Sequence, residues 1–114
     1  MDLTVIIPTR GRAAKLGACV EKLGAQSLSF DRFEVLIGID GEESGETHAV
    51  AQAAHGRLRS VIREFPRCGL AAVRNGLIEQ ARGRVLLSMN DDVLAEPGML
   101  GAHVRAHERV GDLE

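Results

Sequence analysis

"LTVIIPTRGR", residues 3–12, sets the reading of the whole chain. Leu3 to Ile7 forms a continuous run with no alternating polar face, and Pro8 closes it. A run of that kind suits a strand covered on both faces, the habit of parallel sheets. Three further runs follow. "EVLIGI" (34–39) ends at Asp40-Gly41, "RSVIR" (59–63) has charged flanks that place it nearer a sheet edge, and "RVLLSM" (84–89) stops at Asn90, Asp91 and Asp92.

Helical periodicity fills the gaps between these runs. Leu16, Val20 and Leu23 share one face, with Cys19 beside them; Val50 and Ala54 share another; Leu70, Val73, Leu77 and Ala81 a third. Pro97 suits a first helical turn, and Leu100, His103, Val104 and His107 form one face of a last helix. The order β-α-β-α-β-α-β-α predicts a Rossmann-like α/β fold, three layers α/β/α around a mostly parallel sheet. No repeat, linker or low-complexity tract divides residues 1–114, so the chain reads as a single unit.

In open sheets of this type, ligands bind beyond the carboxyl ends of the strands. Those ends are Pro8 to Gly11, Asp40 to Glu42, Glu64 to Gly69, and Asn90 to Asp92. Acids gather at the second and fourth, arginines (Arg10, Arg12, Arg67) at the first and third.

Bulk properties exclude several functions. The formal net charge of -2 gives no field that would favour nucleic acid or an anionic membrane. Tyr and Trp are absent and there are 3 Phe, so the ring platforms of single-strand nucleic-acid modules are missing. No apolar run approaches the roughly 20 residues that span a bilayer, so no transmembrane segment is expected. The N-terminus has no basic segment ahead of an apolar one, and Cys19 and Cys68 have no metal-ligand or CxxC spacing; together these predict a cytoplasmic protein with reduced thiols.

The common nucleotide motifs fail. "PTRGRAAKLG" after the first run is neither GxGxxG nor GxxxxGK[ST], and no Ser stands in GxSxG. His103 and His107 have a helical spacing that metals use, but lack the accompanying Glu of HExxH. The acid pair remains. If the backbone stays extended, Asn90 and Asp92 point one way and Asp91 the other. A carboxylate at the end of a buried strand needs a partner, either a cap or arginine, or a hard divalent cation that also takes phosphate oxygens.

Four blocks in order resemble the family 2 glycosyltransferases, which have the GT-A fold. They are "VIIPTRGR" (5–12), "FEVLIGIDGEESGET" (33–47), "CGLAAVRNGLIEQARGRVLLSMNDD" (68–92) and "VLAEPGML" (93–100). The resemblance implies a nucleotide-diphosphate sugar of UDP or GDP type as ligand, Mn²⁺ or Mg²⁺ as cofactor, and transfer of a hexosyl group to an acceptor hydroxyl with inversion. By position, Thr9, Arg10 and Gly11 would line the nucleotide pocket and Asp40 would accept a hydrogen bond from the base. Asn90, on the first position of the D-x-D motif, would meet the ribose. Asp91 would lie in the donor site and Asp92 would ligate the metal. Arg74 falls on the arginine of the family's A-R-N block, suited either to the donor phosphates or to a salt bridge with Asp91.

The sequence departs from the pattern at Asn90 and Ile39, each replacing an Asp, and at Gly11, where many members carry a longer side chain. The length is about half of a complete GT-A domain. The resemblance therefore covers a donor-binding half and assigns no general base or acceptor site to these residues. Glu96 and Glu108 read as capping or solvent-facing. The alternatives are a non-catalytic α/β module that associates through exposed sheet edges, or a metal-dependent nucleotidyltransferase, for which "PTRGR" is a poor signature loop.

Overall fold

The structure is a computed structural model, and it describes residues 1–42 and 44–113, with side chains to residue 108. The elements are β1 (Leu3–Thr9), α1 (Ala13–Leu23), β2 (Phe33–Asp40), α2 (Glu46–Ala54), β3 (Ser60–Phe65), α3 (Leu70–Ile78), β4 (Val85–Ser88) and α4 (Met99–Leu113). All three strand pairings are parallel, in the order β3-β2-β1-β4. The α/β alternation and the parallel sheet follow from the apolar runs, and the charged run at 59–63 does lie on an edge.

Two helical layers cover the sheet. Leu3, Val5 and Ile7 of β1 and Phe33, Val35 and Ile37 of β2 face the main core, built with Leu16, Cys19, Val20 and Leu23 of α1, Ala51 of α2, and Leu100 and Val104 of α4. Ile6 and Leu36 face the other way, against Val73 and Leu77 of α3. Both faces of β1 and β2 are buried over their whole lengths, which is why those stretches show no polar alternation. α3 lies very close to the sheet. A Cβ on Gly38 would come 2.4 Å from Val73 Cγ1 and 3.0 Å from Leu77 Cδ1.

Four local expectations change. Pro8 does not end its strand but pairs with Gly38 inside β1. The carbonyls of Asp2 and Ile6 accept from Val85 and Met89, so Pro8, in the same alternation, turns its nitrogen towards the β4 side. β4 has ended at Ser88 there, and the missing N–H breaks no ladder bond. β4 reads as fully buried yet forms an edge, with Leu86 46% exposed. Pro97 lies in the turn before α4, where Met99 N–H bonds the Glu96 carbonyl. On α4, Leu100 and Val104 are buried while His107 is exposed.

At the amino ends of the strands, a buried carboxylate ties distant segments together. Glu34 accepts from Thr4 Oγ1 at 2.7 Å, from Arg82 N at 2.8 Å and from the Arg82 guanidinium at 3.1 and 3.2 Å. Thr4 Oγ1 in turn accepts from Gly83 N at 2.8 Å. This closes the base of the sheet and leaves the carboxyl ends open.

Candidate functional site

Because β1 lies next to β4, the residues that leave their carboxyl ends meet. Thr9, the last residue of β1, donates its hydroxyl to Asp91 Oδ2 at 2.8 Å. Gly11 follows at φ 62°, a left-handed conformation that turns the chain towards α1. The turn delivers Arg12, at the N-cap position, over both acids. Arg12 Nε lies 3.4 Å from Asp91 Oδ1 and Nη2 lies 3.3 Å from Asp92 Oδ2.

Asp91 and Asp92 have different environments. Asp91 is 6% exposed and spends its two oxygens on Thr9 and Arg12. The side chain of Asp92 is 48% exposed. Asn90, like Asp92, faces outward, so the expected split of the three residues holds. A turn rather than extended backbone produces it, with Val93 N–H bonding the Asn90 carbonyl at 3.3 Å. Beneath this turn, Cys19 Sγ lies 4.0 Å from the Asn90 carbonyl oxygen. Burial, then the negative charges of Asp91 and Asp92, pushes the Cys19 thiol up to about 11, so it stays a protonated core side chain.

Arg74 does not pair with Asp91. Its Nε donates to Ser88 Oγ at 2.9 Å, at the end of β4, while Arg12 takes the acid. Arg12 is the residue that sequence reasoning left out of the site. Its only signal was membership in the arginines at strand ends. Arg10, Arg12, Arg74, Asn90, Asp91 and Asp92 line one hollow of about 260 Å³.

A wider cleft of about 820 Å³ adjoins it, sharing Arg10 and Leu70, and is lined also by Gly11, Asp40, Glu42, Ser44 and Arg67. Asp40, 3% exposed, is committed on one side to backbone. Its Oδ1 accepts from Cys68 N at 2.8 Å, and Gly69 N approaches Oδ2 at 3.2 Å. Gly41 beneath it, at φ 54°, would put a Cβ 2.5–2.9 Å from Arg67 atoms, so only glycine fits where the two loops touch. The Glu42 carboxyl is held below its usual range, chiefly by the Thr47 hydroxyl and also by Thr47 N, Ser44 and the Gly11 N–H.

The donor set fits a hard divalent cation shared with a ligand. Among the described residues, no group of three or more His, Cys, Asp or Glu side chains converges into a closed cage. The exposed carboxylate of Asp92 and the exposed amide of Asn90 are the groups that could hold Mg²⁺ or Mn²⁺, ions that complete their shell with water and phosphate oxygens, while the neighbouring arginines match the charge of phosphate rather than of the cation. The carboxylates read as peripheral lie elsewhere. Glu96 is exposed in the turn before α4, and the Glu108 carboxylate lies 3.7 Å from Arg32.

The profile described as Glycosyl transferase family 2 matches residues 4–112. Among curated relatives, the "uncharacterized glycosyltransferase YfnE" of Bacillus subtilis is 30% identical over 115 residues, covering 99% of this chain and 29% of the relative. A validoxylamine A glucosyltransferase of Streptomyces hygroscopicus is 33% identical over 107 residues, 92% of this chain and 25% of the relative. The chain thus spans less than a third of these relatives' length. In structure, S. aureus TarS in complex with UDP-GlcNAc superposes with a TM-score of 0.85 at 20% identity, over 92% of this chain and 30% of that one. The mannosyltransferase PcManGT from Pyrobaculum calidifontis, in complex with GDP-Man and Mn²⁺, gives 0.78 at 23% identity, over 86% and 30%. At these identities the structural likeness concerns the fold. No helix among the described residues is long and apolar enough to cross a membrane.

Proposed function

The chain belongs to glycosyl transferase family 2, and on that premise we propose that it forms the donor-binding part of a glycosyltransferase acting on a nucleotide-diphosphate sugar. The observation that carries this reading is the continuity of the two clefts. The Asp40–Glu42 cleft and the Arg12–Asp91–Asp92 hollow meet at Arg10 and Leu70, beyond the carboxyl ends of parallel strands. The wider cleft takes the nucleoside, with Arg10, Gly11 and Asp40 at its walls, whereas Thr9, expected there from the sequence, is fully buried and bonds Asp91 instead. The smaller takes the diphosphate, with Arg10 and Arg74 as its cationic partners and Asn90 towards the ribose. The structural neighbours in complex with UDP-GlcNAc and with GDP-Man and Mn²⁺ support a ligand of this class.

Asp92, with Asn90 beside it, would hold Mn²⁺ or Mg²⁺, and Asp91 would fix the turn that carries them. Such a cation, when bound, neutralises charge on the leaving diphosphate. The chain's own side chains position the donor and hold the diphosphate by charge-assisted hydrogen bonds. Attack by an acceptor hydroxyl on the sugar's anomeric carbon, from the face opposite the diphosphate, forms the new C–O bond as the bond to the diphosphate breaks, releasing the nucleoside diphosphate and the hydroxyl proton and inverting that centre. No residue of this chain is assigned as the general base. Calorimetric titration of UDP and of GDP, with and without Mn²⁺, tests the reading. Metal-dependent binding that disappears in Asp92→Ala is expected; binding indifferent to both metal and that substitution would sink it.

A second reading, self-association, is favoured by the β4 edge, where Leu86 is 46% exposed. Light scattering over a range of concentrations tests it, and a monomer at every concentration counts against it.

A further inference from the structure

We infer that Arg12 is a resident counter-cation which makes divalent-metal binding conditional on the nucleotide diphosphate. The inference rests on the donor-site reading above and concerns a residue that reading does not use. Asp92 is the outward carboxylate suited to a cation, and a cation already sits on it. Arg12 Nη2 lies 3.3 Å from Asp92 Oδ2 while its Nε lies 3.4 Å from Asp91 Oδ1. One guanidinium therefore bridges the buried acid and the exposed one.

The two ends of this bridge are unequal. Asp91 also receives the Thr9 hydroxyl at 2.8 Å and is buried, so that end is fixed. Asp92 is 48% exposed and Arg12 43% exposed, so the Asp92 contact is an open, solvent-screened pair that is cheap to break. A divalent ion arriving alone meets a carboxylate whose charge is already matched, and it meets the guanidinium's repulsion at close range. A diphosphate changes that balance. Arg12 lines the same hollow as Arg10 and Arg74, so the guanidinium can exchange Asp92 for phosphate oxygens without leaving the site. Asp92 is then released to the metal. Metal and diphosphate arrive as a coupled pair, and the coupling is reciprocal.

The test is titration of Mn²⁺ alone, followed by paramagnetic resonance of the free ion, into the chain and into Arg12→Gln. Gln keeps a polar side chain and removes the charge, and a thermal melt of each variant confirms folding. Arg12→Gln is expected to bind Mn²⁺ without nucleotide about tenfold more tightly than the unsubstituted chain, the size of effect one nearby charge produces in a partly exposed site. The factor by which UDP or GDP tightens Mn²⁺ should shrink correspondingly. Unchanged or weaker Mn²⁺ binding in Arg12→Gln, with Asp92→Asn still abolishing the metal's effect on nucleotide, overturns the role of Arg12 and leaves the donor site standing. Failure of the unsubstituted chain to bind either nucleotide with Mn²⁺ overturns both.

Discussion

The Thr9 hydroxyl and the Asp91 carboxylate, 82 residues apart in sequence, share a buried hydrogen bond of 2.8 Å at the junction of β1 and β4. It holds the turn from Asn90 to Asp92 against the sheet. Thr9→Val preserves shape but leaves Asp91 without its hydroxyl donor. The expected loss is about 1–3 kcal/mol of stability, the range for a hydrogen bond to a buried charged group. Chemical denaturation reads the loss, and weaker Mn²⁺-dependent nucleotide binding should accompany it. An unchanged midpoint would show that Arg12 alone satisfies Asp91.

At the opposite end of the sheet, Glu34 is expected to contribute to stability against acid. Burial favours its protonated form, but the bonds from Thr4, Arg82 N and the Arg82 guanidinium together hold its carboxyl below the usual 4.5. A carboxyl lowered on folding adds stability that is present above its unfolded value and is lost as pH falls through the folded value. The melting temperature should therefore decline as pH drops below 4.5, with Glu42 contributing in the same sense. Glu34→Gln should cost about 1–3 kcal/mol at neutral pH and flatten that decline. A variant with an acid limb as steep as the parent's would assign the decline to other carboxylates.

The two cysteines should separate cleanly by reactivity. Cys19 is buried with its thiol pushed up to about 11, whereas Cys68 is exposed, its thiol raised by desolvation and the nearby Asp40 carboxylate but within reach of the reagent. Iodoacetamide near neutral pH attacks thiolates it can reach. Mass spectrometry should find the adduct on Cys68 in the native protein and on both residues only after denaturation. Native modification of Cys19 would mean that the turn above it opens readily.

Gly38 marks the closest approach of α3 to the sheet. A methyl there meets Val73 Cγ1 at 2.4 Å and Phe65 Cε1 at 3.1 Å. Gly38→Ala should destabilise the fold by about 1–3 kcal/mol, the usual cost of overpacking. Its effect on nucleotide binding should exceed that of an equally destabilising change in α4, because Asp40 is two residues further along β2 and α3 begins beside the cleft.

Much of the fold was written in local pattern. The runs at 3–7 and 34–39 are apolar throughout because each is covered on both faces. The edge position of the third run showed in its charges. The run at 84–89 misled in one respect, since Leu86 looks like a buried residue but faces outward on an edge. Pro8 misled in another, because whether a proline ends a strand depends on whether a neighbour needs its N–H.

The candidate site divides in the same way. Sequence alone placed Thr9, Gly11, Asp40 and residues Asn90 to Asp92 at the carboxyl ends of strands, because strand ends follow from where apolar runs stop. Tertiary structure decided which of those ends touch. The order β3-β2-β1-β4 brings Thr9 to Asp91, and the left-handed turn at Gly11 aims Arg12, not Arg74, at both acids. Such pairings join residues some 80 positions apart, and no local periodicity carries the strand order or the angle at which a helix begins.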